Sequence, residues 1–131
     1  MQDRPSILIV DDDPDILDGI IMILESKDYE LRTARDGVQC LENLSEGVPD
    51  LLILDLLMPR MDGWGVIREV RKDNRYLNMP IMILTTVIED ASRRRYELET
   101  GHSMDIQAYT EKPARPDELL AQVDELLQWK K

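Results

Sequence analysis

The chain has a single cysteine, a shortage of basic residues and no long apolar run. Cys40 is the only thiol in 131 residues, so no internal disulfide can form. It falls in a helical pattern of apolar residues, which reads as a buried structural thiol rather than a redox centre. Lysine and arginine number 16 against 27 acidic residues, giving a net charge of −11 and a pI near 4.5. That balance lacks the basic face that non-specific nucleic-acid binding needs. The acid is not confined to one block, so an acidic tail is not its source. No stretch reaches the roughly 20 apolar residues that cross a bilayer. Met1-Gln2-Asp3-Arg4-Pro5 contains no apolar signal core. A cytoplasmic protein is expected. No glycine-rich loop follows the first apolar run, where three acids would repel phosphate, so a nucleotide- or flavin-binding α/β site is disfavoured.

What is present is a set of short apolar runs that stop on polar residues. The hydrophobic fraction is 43%, enough for a core, and the length suits one domain over residues 1–131. Ile7-Leu8-Ile9-Val10 reads as a first strand and ends in Asp11-Asp12-Asp13. Asp13 before Pro14 is the expected N-cap of a helix whose apolar stripe is Ile16, Leu17, Ile20, Ile21, Ile23 and Leu24. Tyr29 to Ala34 is a shorter, more polar strand expected near an edge. Asp36-Gly37 leads into a second helix with Val38, Leu41 and Leu44 at helical spacing, ended by Gly47 and Pro49.

Leu51-Leu52-Ile53-Leu54 is a strand covered on both faces, and it stops on Asp55. The Asp62-Gly63 turn opens a third helix with Val66, Ile67 and Val70 inward and Arg68, Glu69, Arg71 and Lys72 outward. Pro80 introduces a fourth strand, Ile81 to Leu84, ending in Thr85-Thr86. A weak fourth helix is expected from about Asp90 to Thr100, and a fifth strand from Ile106 to Thr110. The Glu111-Lys112-Pro113 turn leads to a fifth helix, Asp117 to Trp129, with Leu119, Leu120, Val123, Leu126 and Leu127 on its apolar face. Strands alternating with helices predict a doubly wound α/β domain: a parallel sheet between two helical layers.

In such folds the ligand site lies beyond the carboxyl ends of the strands. Asp11, Asp12, Asp55 and Thr85 occupy that edge, and Lys112 follows strand five. If strands one and three are neighbours, three carboxylates meet. Two such charges at roughly 4 Å repel by about 4 kcal/mol at an effective dielectric of about 20. The cluster therefore needs a proton or a cation. Hard oxygen ligands open to solvent suit Mg²⁺, which retains waters and accepts a phosphate oxygen. An acidic nucleophile, a divalent ion, an ammonium and a hydroxyl are the parts phosphoryl transfer uses.

Over nearly its whole length the chain resembles the receiver domain of two-component response regulators. Ile7-Leu8-Ile9-Val10-Asp11-Asp12-Asp13-Pro14 looks like the family's first strand and acidic pair. Asp55-Leu56-Leu57-Met58-Pro59-Arg60-Met61-Asp62-Gly63 is similar to its phosphoacceptor motif, and Thr85, Tyr109 and Lys112-Pro113 match its later signatures. The resemblance implies a flavodoxin-like fold of five strands in the order 2-1-3-4-5, five helices and three layers. It implies Mg²⁺ held directly by Asp12, by Asp11 mainly through water, by Asp55 and by the Leu57 carbonyl. It makes Asp55 the acceptor from the phosphohistidine of a sensor histidine kinase or a histidine phosphotransfer protein, and Lys112 the balancing charge. Thr85 and Tyr109 become the switch pair, and Lys112-Pro113 a cis peptide. The output is a change in the face of helix four, strand five and helix five, read by a downstream protein or output domain, with dimerisation through that face left open. On this reading the chain is a signalling switch, not a turnover enzyme, and makes no direct contact with nucleic acid or membrane.

The sequence departs from the pattern in places. Thr86 stands where Ala or Gly is usual. Leu57 and Val87 are apolar where polar residues often position a hydrolytic water, which predicts a long-lived acyl phosphate. Gly101 to Tyr109 is longer than usual, and Ala114 replaces a bulky aromatic, so looser packing behind Lys112 is expected. A hydrolase of the haloacid-dehalogenase type would need a second acid where Leu57 stands. A receiver-like interaction module that has lost phosphorylation is the alternative, and the intact set Asp12, Asp55, Thr85 and Lys112 disfavours it. Asp13 and Asp62 read as a cap and a turn residue rather than ligands. His102 is alone and carries no metal chemistry.

Overall fold

Alternate residues of each central strand point to opposite sides, and this divides the apolar residues into two cores. The computed structural model describes residues 4–85, 108–112 and 115–129, with backbone only for Thr85, residues 108–111 and Trp129. The strands are β1 (Ser6–Val10), β2 (Glu30–Ala34), β3 (Leu51–Leu54), β4 (Ile81–Thr85) and β5 (Ala108–Glu111). They form one parallel sheet in the order β2-β1-β3-β4-β5. The sheet order matches the expectation, and β2 is an edge strand as its polar composition suggested.

On one face Leu8, Val10, Leu52, Leu54, Ile81 and Ile83 belong to a core with Cys40 and Leu44 of α2 (Gly37–Glu46) and Val66, Ile67 and Val70 of α3 (Gly63–Arg71). On the other, Ile7, Ile9, Leu51, Ile53, Met82 and Leu84 join Leu17, Ile20 and Leu24 of α1 (Pro14–Leu24) and Leu119 and Val123 of the C-terminal helix (Pro116–Trp129). Every residue of β3 is buried, as a strand covered by helices on both sides must be. Each such side chain contributes about 1.5–3 kcal/mol by leaving water, so the central strands are anchored in both cores. They are the platform from which the site residues project.

The helices begin where short acids can cap them. The carboxylates of Asp13, Asp36 and Asp62 accept the amides of Asp15, Gln39 and Gly65, each satisfying an otherwise orphaned donor. Pro14 takes the first turn of α1, where its missing N–H costs nothing.

Some expectations are corrected. Val38 is exposed rather than part of the α2 core stripe; Gly37, Cys40 and Leu44 face inward instead, because the Asp36 cap sets the helix phase. Arg71 is half-buried rather than outward, and donates from Nη1 to the Tyr76 carbonyl at 3.3 Å. It reaches there because an unanticipated 3₁₀ turn, Asn74–Tyr76, buries Tyr76 in the first core. Glu111 belongs to β5 rather than to the turn after it. The expected fourth helix, with Thr86, Val87, His102, Pro113 and Ala114, lies outside the described residues.

Candidate functional site

Register builds the site. Val10 of β1 pairs with Leu54 of β3, and the Asp55 amide donates to the Val10 carbonyl at 3.0 Å. The next residue on each strand is an aspartate, so Asp11 and Asp55 leave the sheet side by side. Asp11 is also tied to the other neighbour of β1, its amide donating to Ala34 at 3.2 Å. Asp12 begins the loop into α1. One carboxylate oxygen from each of Asp11, Asp12 and Asp55 lies within 4.8 Å of the others. Asp11 and Asp55 are buried, at 1% and 4% exposure, while Asp12 is the more open to solvent.

Lys112, just past β5, reaches into this cluster. Its Nζ lies 2.6 Å from Asp11 Oδ2 and 3.4 Å from Asp55 Oδ2, with its side chain 7% exposed. The other oxygen of Asp11 accepts the Asp13 amide at 3.0 Å. Among the described residues, Oδ1 of Asp55 is met only loosely, by the Leu57 amide at 3.4 Å. Burial raises the Asp55 carboxyl above its ordinary range, and the Asp11 charge adds to this; Lys112 and the Leu57 amide oppose them without winning. One ammonium against three carboxylates leaves two formal negative charges in a largely dehydrated corner. A hard divalent cation with oxygen preference fits that donor set and that charge.

Leu57 follows Asp55 in the loop to α3 and is 61% exposed, so the mouth of the site is open on that side. Thr85 is the last residue of β4, paired with Glu111, and Tyr109 lies in β5 opposite Ile83. The switch roles expected of them rest on side chains that lie outside the described residues. Lys112 also lines an apolar cavity of about 280 Å³ with Ile16, Gly19, Ile20, Ile23 and Leu84.

Sequence reasoning missed the support behind the loop. The Asp36 carboxylate, 6% exposed, accepts Nε of Arg60 at 3.0 Å and also its Nη2. The capping bond from the Gln39 amide, with help from Arg60, holds Asp36 below the usual carboxylate range. The two residues are 24 apart, and no spacing rule links them. The one available signal was an Asp-Gly helix start in a chain whose loop after Asp55 carries a lone arginine.

Comparison with known proteins decides the family. Residues 7–124 match the model of the response regulator receiver domain. The chain belongs to that family, and so to the phosphorelay switches of two-component signalling. It is 38% identical over 128 residues to the sensor histidine kinase TmoS of Ectopseudomonas mendocina, covering 98% of this chain and 12% of that protein. It is 35% identical over 125 residues to the DNA-binding dual master transcriptional regulator RpaA of Synechocystis, covering 94% and 49%. The chain thus spans about half the length, or less, of these curated relatives. Among solved structures, a CheY-like receiver domain protein from Methanospirillum hungatei superposes with a TM-score of 0.85 at 27% identity, covering 98% of this chain and 97% of that one. The receiver domain of a histidine kinase from Syntrophus aciditrophicus does so at 0.80 and 29%, covering 95% and 90%. Among the described residues, no helix is long and apolar enough to cross a membrane.

Proposed function

We propose that this receiver domain takes a phosphoryl group from a phosphohistidine onto Asp55. The observation that carries the reading is the meeting of Asp55 with Asp11 and Asp12 within 4.8 Å, with Lys112 at 3.4 Å from the acceptor. An Asp55 oxygen forms the new bond to phosphorus. The P–N bond of the donor breaks and its electron pair stays on the imidazole nitrogen, which takes a proton. Lys112 is the fixed cation beside the incoming oxygens. Asp11, Asp12, Asp55 and the Leu57 carbonyl would hold Mg²⁺, which supplies charge neutralisation for the transferring group. Burial keeps the acceptor carboxylate poorly solvated and so poised to be stabilised by whatever cation meets it.

Thr85 is assigned the hydroxyl that follows the phosphoryl oxygens, and Tyr109 the ring that follows Thr85. Lys112-Pro113 is assigned a cis peptide. The output is then a shift in the face built by the segment before β5, β5 itself and the C-terminal helix, the same face that would serve a homodimer. The donor is a sensor histidine kinase or a histidine phosphotransfer protein, and the reader is a downstream protein or an attached output domain. A cytoplasmic address goes with such partners. The net charge of −11 speaks against direct nucleic-acid contact by residues 1–131, a single domain. The domain is a switch and not a turnover enzyme. Its signal is the acyl phosphate itself, which apolar Leu57 and Val87, beside the acceptor and the switch, make long-lived.

Incubation with Mg²⁺ and a small phosphodonor tests the reading. One added phosphate is expected in the intact mass of the wild type and none in Asp55→Asn. Equal phosphate gain by both proteins rejects Asp55 as the acceptor. A phosphoprotein that loses its phosphate quickly once the donor is removed contradicts the long lifetime.

A further inference from the structure

The loop from Asp55 to Asp62 is fastened from outside the site. At its far end the Gly63 amide donates to the Leu56 carbonyl at 2.9 Å. Just before that end the Gly37 amide donates to the Met61 carbonyl at 3.0 Å, and Arg60 grips Asp36 through two nitrogens of its guanidinium. Arg60 has φ of 66°, in the left-handed region that costs a residue with a side chain about 1 kcal/mol or more. Gly37 is packed so closely that an added Cβ would lie 2.6 Å from Met61 Cβ. Arg35, at the start of the same turn, reaches the Asp12 carbonyl from the solvent side at 3.5 Å. The turn after β2 therefore braces both loops that carry the acidic cluster.

We propose that Asp36 and Arg60 are positioning residues for the acceptor site: their ion pair fixes the backbone after Asp55, and hence where Leu57 meets the bound cation. Neither residue touches the cation or the phosphoryl group. The inference rests on the reading of the Asp55 cluster as a divalent-ion and phosphoryl site. Asp36 is almost fully covered and is held by two partners at once, through Oδ1 to the Gln39 amide and Oδ2 to Arg60, so its position is rigid. Arg60 is 59% exposed on its side chain, so its charge alone contributes little; its value is the two-pronged geometry that sets one loop conformation. Groups hydrogen-bonded directly to a metal ligand typically change affinity roughly 10- to 100-fold when removed; this pair acts one step further back, through the loop backbone, so the lower end of that range is expected.

The test is a comparison of wild type, Arg60→Ala, Arg60→Lys and Asp36→Asn. Calorimetric titration of metal-free protein with Mg²⁺ reads affinity without any phosphoryl transfer. Arg60→Ala and Asp36→Asn are each expected to weaken Mg²⁺ binding roughly tenfold. Asn keeps the helix cap, so Asp36→Asn separates loss of the pair from loss of α2. Arg60→Lys should recover only part, since an ammonium cannot reproduce the fork. With a small phosphodonor, the rate at saturating Mg²⁺ should stay within about twofold of wild type while the Mg²⁺ concentration for half-maximal rate rises by the same factor as the affinity falls. Wild-type Mg²⁺ affinity in Arg60→Ala and Asp36→Asn overturns the proposal. So does an unchanged half-maximal Mg²⁺ concentration with a lower rate, or full recovery by lysine. Failure of the wild type to bind Mg²⁺ or take phosphate would instead reject the reading of the site, before any variant is made.

Discussion

Among the described residues Lys112 and Asp11 make the tightest contact of the site, with Nζ 2.6 Å from Oδ2, closer than the 3.4 Å from Lys112 to Asp55. The ammonium is anchored on Asp11 rather than on Asp55, the proposed acceptor. Asp55 is left with a longer contact to Lys112 and a long one to the Leu57 amide, so its oxygens can change partners without dismantling the corner.

Removing the ammonium would leave two buried carboxylates facing each other. Lys112→Ala is expected to lose about 3–5 kcal/mol at pH 7 in the metal-free protein, the cost of an uncompensated buried charge. The Asp55 carboxyl, already raised by burial and by Asp11, would rise further. A raised acid binds its proton more tightly in the folded state, so the loss grows as pH rises through that higher value and shrinks toward about pH 4. Urea unfolding at the two pH values measures it.

The same sign governs Asp55→Asn. The amide resembles the protonated acid that the fold prefers, so the metal-free variant should equal or exceed wild type in stability at about pH 7. The gap should close below the ordinary carboxylate value of 3.8. Mg²⁺ should reverse the order. At roughly a hundredfold excess over its Kd it adds about 2.7 kcal/mol to the wild type and much less to the variant. Thermal unfolding with and without Mg²⁺ shows both effects.

Two glycines should respond oppositely to alanine. Gly19 lies within α1 and meets nothing within 4 Å of an added Cβ, so Gly19→Ala should stabilise by about 0.5–1 kcal/mol. At Gly63 the added Cβ would sit 2.5 Å from the Asp55 carbonyl and 2.8 Å from Leu56 Cα, both backbone. Gly63→Ala should cost about 1–3 kcal/mol and slow phosphorylation by shifting Asp55, the proposed acceptor. Denaturant midpoints and phosphorylation rates on the two variants check this.

Cys40 is fully buried, and burial, aided by the Asp36 charge, pushes its thiol up to about 12. It should resist disulfide-forming reagents in the native protein at mildly alkaline pH and react at once in denaturant. Fast native labelling would place it outside the α2–α3 core.

Much of this was legible in the chain. The apolar runs of β1, β3 and β4 are short, β-branched or leucine-rich, and end on polar residues, so they mark both the strands and the sheet edge where chemistry collects. Asp13-Pro14 announces its own helix start. The acidic cluster was legible because Val10 and Leu54 end their strands one residue before an aspartate, and parallel register does the rest.

What sequence periodicity did not carry are interactions between segments. Val38 looked like part of a stripe, but the phase of α2 is set by the Asp36 cap and by the tight seat of Gly37 on Met61. Tyr76 sits in a charged connector, so neither its burial nor the hold of Arg71 on its carbonyl had a local signal. The Asp36–Arg60 pair joins a helix start to a loop, and only the fold brings them together.

The central claim concerns one bond, between phosphorus and an oxygen of Asp55, and it can be trapped. Phosphorylation with a small donor and Mg²⁺, followed by borohydride reduction and peptide mass analysis, converts an acyl-phosphate aspartate to homoserine. Homoserine is predicted at position 55, with unmodified aspartate at positions 11, 12 and 62. Homoserine at any of those three, with Asp55 unchanged, would contradict the claim.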